Sequence, residues 1–378
     1  MAELSVIEHL ASLVAFPTVS STSNLNLLDW IEDYCRPLHP RSMRFPNEAG
    51  NKANLLLSFG PDEPGGVVLS GHTDVVPCDG QTWLDDPFRL RNDGGRLIGR
   101  GSTDMKGFIA CCLAALPHLV QGRRAKPVHL ALSYDEEVGC TGVHSMTDWL
   151  GTSALKPGLA IVGEPSGMRV VGAHKGGLIV RVTVRGKPGH SSRPDAYVNA
   201  VMIAAQLITE IENLRRELAR GPLSEGLSPP YTTTQVNMIH GGTQLNIVAE
   251  RCEFMWEMRA LPGQNDLSML QRIKTFASTR LEPAMKMIDD ACGIDFAIIA
   301  RVPALRPNGA NAVEHHVLSL LGQKMPEAVS YGSEAGIFQQ VGIPAIICGP
   351  GNIAQAHEPE EFIALEQLEA CVSFLKRL

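Results

Sequence analysis

The sequence predicts an α/β fold, with a mixed, mostly parallel sheet covered by helices and a smaller α+β domain inserted into the chain. Continuous apolar runs of strand length alternate with helical stretches, which is typical of strands buried on both faces. Near residue 178 the pattern changes to strict alternation of apolar and polar residues, which indicates a strand with one wetter face. At 378 residues the chain is also long enough for two domains.

The first part of the chain supplies most of the predicted main sheet. Ser5 and Glu8 match a capping box and open an amphipathic helix that ends before Pro17, and a second helix is expected after Asn24. A further helix is predicted over 107–119. Buried strands are predicted from short apolar runs at 54–58, 67–70, 128–133 and 159–162.

The inserted domain is predicted from the segment that begins with the alternating strand. This segment continues with a long helix, a Gly/Pro-rich stretch at 221–230, two further strands and a second helix. Strand and helix resume after Gly293, and an apolar strand at 345–348 leads into Gly349-Pro350-Gly351. We therefore expect a discontinuous catalytic domain, 1–178 and 293–378, and an inserted dimerisation or lid domain, 179–292.

The composition excludes several classes of protein. Apolar residues make up 44% and charged residues 19%, as in ordinary globular proteins, and the net charge of −7 without a long basic tract argues against a nucleic-acid partner. No apolar run is long enough to cross a bilayer, and the stretch from Met1 to Pro17 lacks the basic start of a signal peptide. The nine cysteines form no CxxC pair, so reduced thiols and a cytoplasmic location are expected.

Ser70-Gly71-His72-Thr73-Asp74 is the first of five sites where an apolar strand gives way to a polar or glycine-rich turn. Such strand ends carry the active groups of α/β folds. His72 and Asp74 lie two apart on an extended segment and so point to the same side. This spacing suits a zinc-ligating histidine whose ring is oriented by the aspartate, although a surface His and Asp after a strand remains open.

Asp104 and the acids at 135–137 form the next two sites. Asp104 lies in GRGSTDMKG (99–107), and although a lone aspartate before a helix is usually an N-cap, its two oxygens could bridge two cations. Asp135, Glu136 and Glu137 directly follow the strand 128–133 and repel one another unless a cation neutralises them. Adjacent glutamates can supply one metal ligand and one base, while a solvated acidic turn is the alternative.

Glu164 and His357 complete the set of candidate metal ligands. Glu164 lies in VGEPS (162–166), and His357 lies in QAHEP (355–359) after the Gly-Pro-Gly turn. Two histidines and three carboxylates supply the nitrogen and oxygen ligands that zinc prefers, with no thiolate required. Two ions sharing Asp104 would use His72 and Glu164 on one side, and Glu137 and His357 on the other.

Six segments, in order across nearly the whole chain, carry a family resemblance: SGHTDVVP (70–77), GRGSTDMKG (99–107), DEEVG (135–139), GEPS (163–166), GKPGHSS (186–192) and GPGNIAQAHEPEEF (349–362). They resemble the zinc aminoacylase and carboxypeptidase family of co-catalytic metallohydrolases. The resemblance implies two Zn²⁺ ions on these ligands, with Co²⁺ or Mn²⁺ as possible replacements, and Glu136 as general base. It also implies a cis Asp104-Met105 peptide and a homodimer formed by the inserted domain, in which His190 reaches the partner's active site and stabilises the oxyanion.

Four further segments indicate the substrate within this family: AHKGG (173–177), NMIHGG (237–242), MRALPG (258–263) and YGSEAGIFQ (331–339). They resemble members that remove the acetyl group from N2-acetyl-L-ornithine in arginine biosynthesis, and the chemistry expected is hydroxide attack on the acyl carbonyl. Ser333 stands where the resemblance leads us to expect a threonine before Glu334. The candidate substrate-binding residues are Lys175, Asn246, Arg259, Ser333 and Glu334.

Other functions remain open or are disfavoured by the sequence. Within the family, a succinyl-diaminopimelate desuccinylase or another deacylase or carboxypeptidase acting on small N-acyl amino acids is the alternative. A catalytically silent binding protein would normally have lost Glu136 or a ligand, and all are present. No GxSxG elbow and no HExxH motif occurs, which disfavours serine hydrolases and zincins.

Overall fold

The computed structural model describes residues 4–121 and 125–378. The chain divides into two compact units. The first unit comprises Met1–Ala173, Leu305–Ala328 and Ser333–Leu378. The second unit comprises His174–Ala304 and Val329–Gly332.

The strands of the described residues fall into three sheets, two in the first unit and one in the second. They are β1 (Arg41–Pro46), β2 (Ala53–Phe59), β3 (Val67–His72), β4 (Arg91–Asp93), β5 (Arg96–Ile98), β6 (Val128–Ser133), β7 (Leu159–Pro165), β8 (Val171–His174), β9 (Gly177–Arg185), β10 (Thr233–Gly241), β11 (Arg251–Arg259), β12 (Gly293–Val302), β13 (Glu327–Val329), β14 (Ala345–Gly349) and β15 (Phe362–Ala364).

The α-helices alternate with these strands in the first unit and are fewer in the second. They are α1 (Val6–Val14), α2 (Leu25–Cys35), α3 (Lys106–Val120), α4 (His144–Thr152), α5 (Ala200–Leu218), α6 (Asp266–Phe276), α7 (Glu282–Ile288), α8 (Ala312–Leu320), α9 (Ala335–Gln340) and α10 (Leu365–Leu375). Helix α1 begins with the predicted capping box, since Ser5 and Glu8 each bind the other's main-chain N–H.

The main sheet of the first unit has the order β1-β2-β6-β3-β7-β14-β8-β13. Its four central strands, β6, β3, β7 and β14, are mutually parallel, whereas β1, β2 and β8 pair antiparallel. A small antiparallel sheet, β15-β5-β4, lies in the same unit. The predicted fold class, a mixed sheet with helices and an additional α+β part, is confirmed.

Helix α3 packs against the centre of this sheet and belongs to the main hydrophobic core. Phe108, near its start, is fully buried. A Cβ atom at Gly163 of β7 would lie only 2.0 Å from Cδ1 of Phe108, so this strand position requires a glycine. This close approach brings the start of α3 next to the end of β7.

The second unit has an antiparallel sheet of order β10-β11-β9-β12, and helices α5, α6 and α7 contribute to its core. Strand β9 alternates between buried and more exposed residues, as its sequence predicts. The unit extends to Ala304, beyond the expected end of the inserted domain at 292, because β12 pairs with β9 rather than joining the main sheet. Ile294 of β12 packs into the core of this second unit.

All nine cysteines lie in the described residues and are free thiols, and all but Cys78 are buried. Within residues 4–121 and 125–378, no helix combines the length and the apolar character needed to span a membrane.

Candidate metal centre

The carboxyl ends of the four parallel strands place the candidate ligands at one edge of the main sheet. His72 is the last residue of β3, and Glu164 lies near the end of β7. Glu137 follows β6, and His357 follows β14. Because adjacent parallel strands end at the same edge of a sheet, side chains remote in sequence meet there.

Asp104 lies between the two histidines. Its Oδ1 is 2.9 Å from Nε2 of His72, and its Oδ2 is 3.4 Å from Nε2 of His357. His357 Nε2 is also 3.0 Å from Oε2 of Glu137, and His72 Nε2 is 4.0 Å from Oε1 of Glu164. The two oxygens of one carboxylate therefore face two different sets of ligands, as a carboxylate shared by two cations would. The expected cis Asp104-Met105 peptide is present.

Side chains of the cluster, with the candidate base Glu136 among them, are close enough to share ions. In each of two groups, one side-chain N or O atom per residue lies within 4.8 Å of the others: His72 with Glu136 and Glu164, and His72 with Asp104 and Glu137. Oε1 of Glu137 and Oε1 of Glu164 are buried and have no hydrogen-bond partner among the described residues. Buried, unpartnered carboxylate oxygens beside imidazole nitrogens are a donor set that fits divalent zinc.

The electrostatics of the cluster also favour a cation. Burial raises the pKa of Glu136 to about 8; His72 opposes this rise, and the carboxylates of Glu137, Glu334 and Asp104 add to it. Burial and the nearby Asp104 and Glu136 carboxylates likewise raise the pKa of Glu164 well above its usual value. These carboxylates outnumber the two histidines, so they must be neutralised by protons or by bound cations.

Asp104 itself stays ionised in this environment. Burial alone would raise its pKa, but the hydrogen bonds to His357 and His72 outweigh burial and lower the pKa below its usual range. The hydrogen bonds of His357 to Asp104 and Glu137 raise the pKa of His357 to about 10. Asp104 therefore carries a negative charge between His72 and His357.

Asp74 contacts this centre differently from the sequence-based expectation. The ring Nδ1 of His72 lies 2.9 Å from the main-chain oxygen of Asp74, while the nearest carboxylate oxygen of Asp74 is 3.7 Å away. The carboxylate instead accepts hydrogen bonds from the main-chain N–H groups of Glu136 at 3.1 Å and Glu137 at 3.3 Å, and from Ser20 Oγ at 2.7 Å. The main-chain oxygen of Asp74 therefore orients the histidine, and its carboxylate orients the acidic loop.

His190 lies in the second unit, in an exposed segment after β9, where it forms an isolated antiparallel bridge with Ile247. Its Nδ1 accepts from the main-chain N–H of Ser192 at 3.2 Å. Because that N–H can only donate, the neutral ring carries its proton on Nε2. The imidazole therefore presents an N–H donor on its outer side.

The candidate substrate-binding residues are divided between the units. Ser333 and Glu334 lie in the first unit and are buried, and burial raises the pKa of Glu334 to about 7. In the second unit, Lys175 Nζ donates to the carbonyl of Tyr231 at 2.8 Å.

Two further substrate-binding candidates lie on strands or turns of the second unit. Arg259, at the end of β11, forms an ion pair with Glu257 at 2.7 Å. Asn246 is exposed, and its main-chain oxygen accepts from Ser191 at 3.1 Å. The side chain of Asn246 therefore lies on the surface, and only its main chain is held by this contact.

Sequence reasoning missed several residues around the centre. Lys52 forms a largely buried ion pair with Asp135 at 2.5 Å, and Cys140 Sγ donates to Oε1 of Glu136 at 3.2 Å. Arg100 and Glu361 form a fully buried ion pair at 2.7 Å. Both lie inside motif segments, GRGSTDMKG and HEPEEF, but nothing in those letters shows that they pair with each other.

Comparison with known proteins is consistent with this geometry. The model of peptidase family M20/M25/M40 matches residues 68–378. The chain belongs to this family. Among curated relatives, an acetylornithine deacetylase of Myxococcus xanthus is 34% identical over 375 residues, covering 97% of this chain and 95% of the relative. An acetylornithine deacetylase of Pasteurella multocida (strain Pm70) is 31% identical over 381 residues, covering 99% and 97%.

Solved structures of M20 proteins share the fold. An M20 family metallo-carboxypeptidase from Sulfolobus solfataricus superposes with a TM-score of 0.75 at 19% identity, covering 99% of both chains. A dinuclear metal-binding M20 peptidase from Bacillus subtilis gives a TM-score of 0.70 at 13% identity, covering 98% of this chain and 95% of its own. The resemblance predicted from the motifs is therefore confirmed at the level of the family and of the fold.

Proposed function

We propose that this M20 hydrolase removes the acetyl group from N2-acetyl-L-ornithine, a reaction of arginine biosynthesis. Membership of the family supports a metal-dependent amide hydrolase. The observation that carries the proposal is the Asp104 carboxylate, whose two oxygens face His72 and His357 at 2.9 and 3.4 Å. The choice of substrate is supported by the relatives named acetylornithine deacetylase over nearly their full length.

The proposed centre holds two zinc ions, which Co²⁺ or Mn²⁺ could replace. His72, Asp104 and Glu164 would hold one ion, and Asp104, Glu137 and His357 the other. When bound, such ions lower the pKa of a water towards about 7 and polarise the acyl carbonyl. The dinuclear M20 peptidase from Bacillus subtilis supports two ions rather than one.

Glu136 is the proposed general base. It takes a proton from the attacking water and then donates that proton to the departing amine. Its position suits this role, since Asp74 holds its main-chain N–H and the Cys140 thiol donates to its Oε1. The thiol thus fixes one oxygen of the Glu136 carboxylate, and Asp74 fixes the main chain that carries it.

His190 is the proposed oxyanion donor. Its protonated Nε2 could donate to the developing negative charge on the acyl oxygen, as preorganised donors do in acyl transfer. We propose that it acts in the active site of a partner subunit, with a homodimer formed through the inserted domain. This assignment rests on the family resemblance and on the tautomer set by Ser192.

Recognition of the amino acid is assigned to five charged or polar side chains. A cationic clamp is needed for the substrate carboxylate, and Lys175 and Arg259 are the candidates, with Asn246 as a further donor. Glu334 is the proposed partner of the ornithine side-chain amine, because it is a buried acid whose Oε1 has no hydrogen-bond partner in the part of the chain that the structure describes. Ser333 lies beside it.

The test is a substrate panel assayed with zinc, after chelation and after zinc is restored. We expect hydrolysis of N2-acetylornithine to exceed that of N-succinyl-diaminopimelate and of acetylated neutral amino acids, and to disappear reversibly on chelation. Preference for the succinyl substrate would assign the alternative activity. Zinc binding with no turnover of any of these amides would assign a catalytically silent binding protein.

A further inference from the structure

The carboxylate of Glu361 is buried and accepts four hydrogen bonds from one loop. Its Oε1 accepts from the main-chain N–H groups of Thr103 at 2.8 Å and Asp104 at 3.0 Å. Its Oε2 accepts from the main-chain N–H of Gly101 at 2.9 Å and from Nη1 of Arg100 at 2.7 Å. These contacts occupy the four acceptor sites of an ionised carboxylate, and they fix the loop that ends at Asp104.

Arg100 extends this contact to the loop that carries His357. Its Nη2 donates to Oε1 of Gln81. The side-chain amide of Gln81 in turn donates from Nε2 to the main-chain oxygen of His357 at 2.7 Å. Hydrogen bonds from Glu361 through Arg100 and Gln81 therefore connect the main chain at Asp104 to the main chain at His357.

We propose that Glu361 is a positioning residue that sets the distance between Asp104 and His357 and so determines the affinity of the metal site they share with Glu137. The inference rests on the proposed dinuclear centre. Glu361 lies in the loop that follows His357, so both ends of the network are anchored to ligand loops. Partners that orient metal ligands typically contribute about 10- to 100-fold to metal affinity or activity.

A carboxylate is required at this position for a specific reason. Glutamine has nearly the same shape but offers only one acceptor oxygen, and its NH₂ group would face main-chain N–H groups or the Arg100 guanidinium. It would also leave the Arg100 charge buried without its partner. The loop before Asp104 must then shift, and the carboxylate can no longer face both histidines.

The test compares Glu361→Gln with Glu360→Gln in the full-length protein. Glu360 is the adjacent residue and pairs with Arg91, and as glutamine it can still accept from the main-chain N–H of Leu84. The readout is zinc bound per chain across a series of free zinc concentrations, together with the visible spectrum of the Co²⁺-loaded protein. Neither measurement depends on turnover.

We expect the parent and Glu360→Gln to bind two ions with the same affinities. Glu361→Gln should retain one ion, bind the second about 10- to 100-fold more weakly, and show a changed Co²⁺ spectrum. Two ions with unchanged affinities in Glu361→Gln would overturn the inference. A parent that binds fewer than two ions would instead contradict the proposed dinuclear centre, so the two failures are distinguishable.

Gln81→Leu is a second variant that keeps the test decisive if Glu361→Gln fails to fold. It removes the link to His357 while leaving the buried Arg100–Glu361 pair intact. We expect weaker binding of the second ion alone, together with a modest fall in the melting temperature of the metal-free protein, because the buried Arg100 Nη2 loses its acceptor. Unchanged binding of both ions by folded Gln81→Leu would contradict a role for this network in positioning His357.

Discussion

The main-chain N–H of Glu136 donates a hydrogen bond to Oδ1 of Asp74 at 3.1 Å. Asp74 Oδ2 receives the next N–H of the loop, from Glu137, and the hydroxyl of Ser20. The Asp74 carboxylate therefore fixes the main chain of both the proposed base, Glu136, and a proposed metal ligand, Glu137. This contact gives Asp74 a testable role beyond orienting His72.

We predict that Asp74→Asn lowers kcat by about 10- to 100-fold while two zinc ions still bind at saturating zinc. The asparagine would present a donor to one of the two main-chain N–H groups and so move the acidic loop. The measurement is steady-state kinetics beside metal analysis. Ser20→Ala is the matched control, because it removes only the hydroxyl donor, and an equal loss of kcat in both variants would argue against this account.

Glu136→Gln should separate metal binding from turnover. Glutamine cannot accept the proton of the attacking water, so kcat should fall by about 10²- to 10⁴-fold, the range of general-base catalysis. The zinc content should stay at the parental value, because Glu136 is not a proposed ligand. Parental kcat in the variant would remove Glu136 as the base.

The shape of the core near the site predicts a specific steric effect. Gly163→Ala places a methyl group 2.0 Å from the Phe108 ring and should destabilise the protein by about 1–3 kcal/mol, as overpacking of cores does. At Gly158 the nearest atom to an added Cβ is 3.4 Å away, so Gly158→Ala is the control and should change stability little. Urea unfolding of the metal-free variants measures the difference, and equal stabilities would contradict the close packing.

Much of the site follows from the sequence because parallel strands bring their carboxyl ends to one edge. Apolar runs followed by His72, Glu137 and Glu164 indicated both the strands and the positions of the ligands. The pairing of β12 did not follow, because an apolar run after Gly293 can join either sheet and its partner depends on distant strands. The role of Glu361 did not follow either, since its partners include main-chain N–H groups that leave no mark in the sequence.

A buried histidine predicts how stability depends on pH. Burial lowers the pKa of His9 from 6.5 to about 4, and its Nε2 lies 3.1 Å from the Tyr34 hydroxyl. The pKa of His9 is thus lower in the folded protein than in the unfolded chain. At pH values between about 4 and 6.5 the unfolded chain therefore binds more protons than the folded protein, and stability is lost as the pH falls through this range.

His9→Phe should remove this part of the pH dependence. Between about pH 7.5 and pH 5 the free energy of unfolding of the parent should fall by up to about 2 kcal/mol more than that of the variant. Urea unfolding at both pH values measures it. Parallel changes in parent and variant would show that His9 is not held neutral in the fold.

The most direct test of the shared metal centre is anomalous diffraction at the zinc absorption edge from crystals grown with zinc. We predict two peaks on opposite sides of the Asp104 carboxylate, one beside His72 and Glu164 and the other beside Glu137 and His357. Crystals that contain zinc but show no peak at Asp104, or only a single one, would contradict the account.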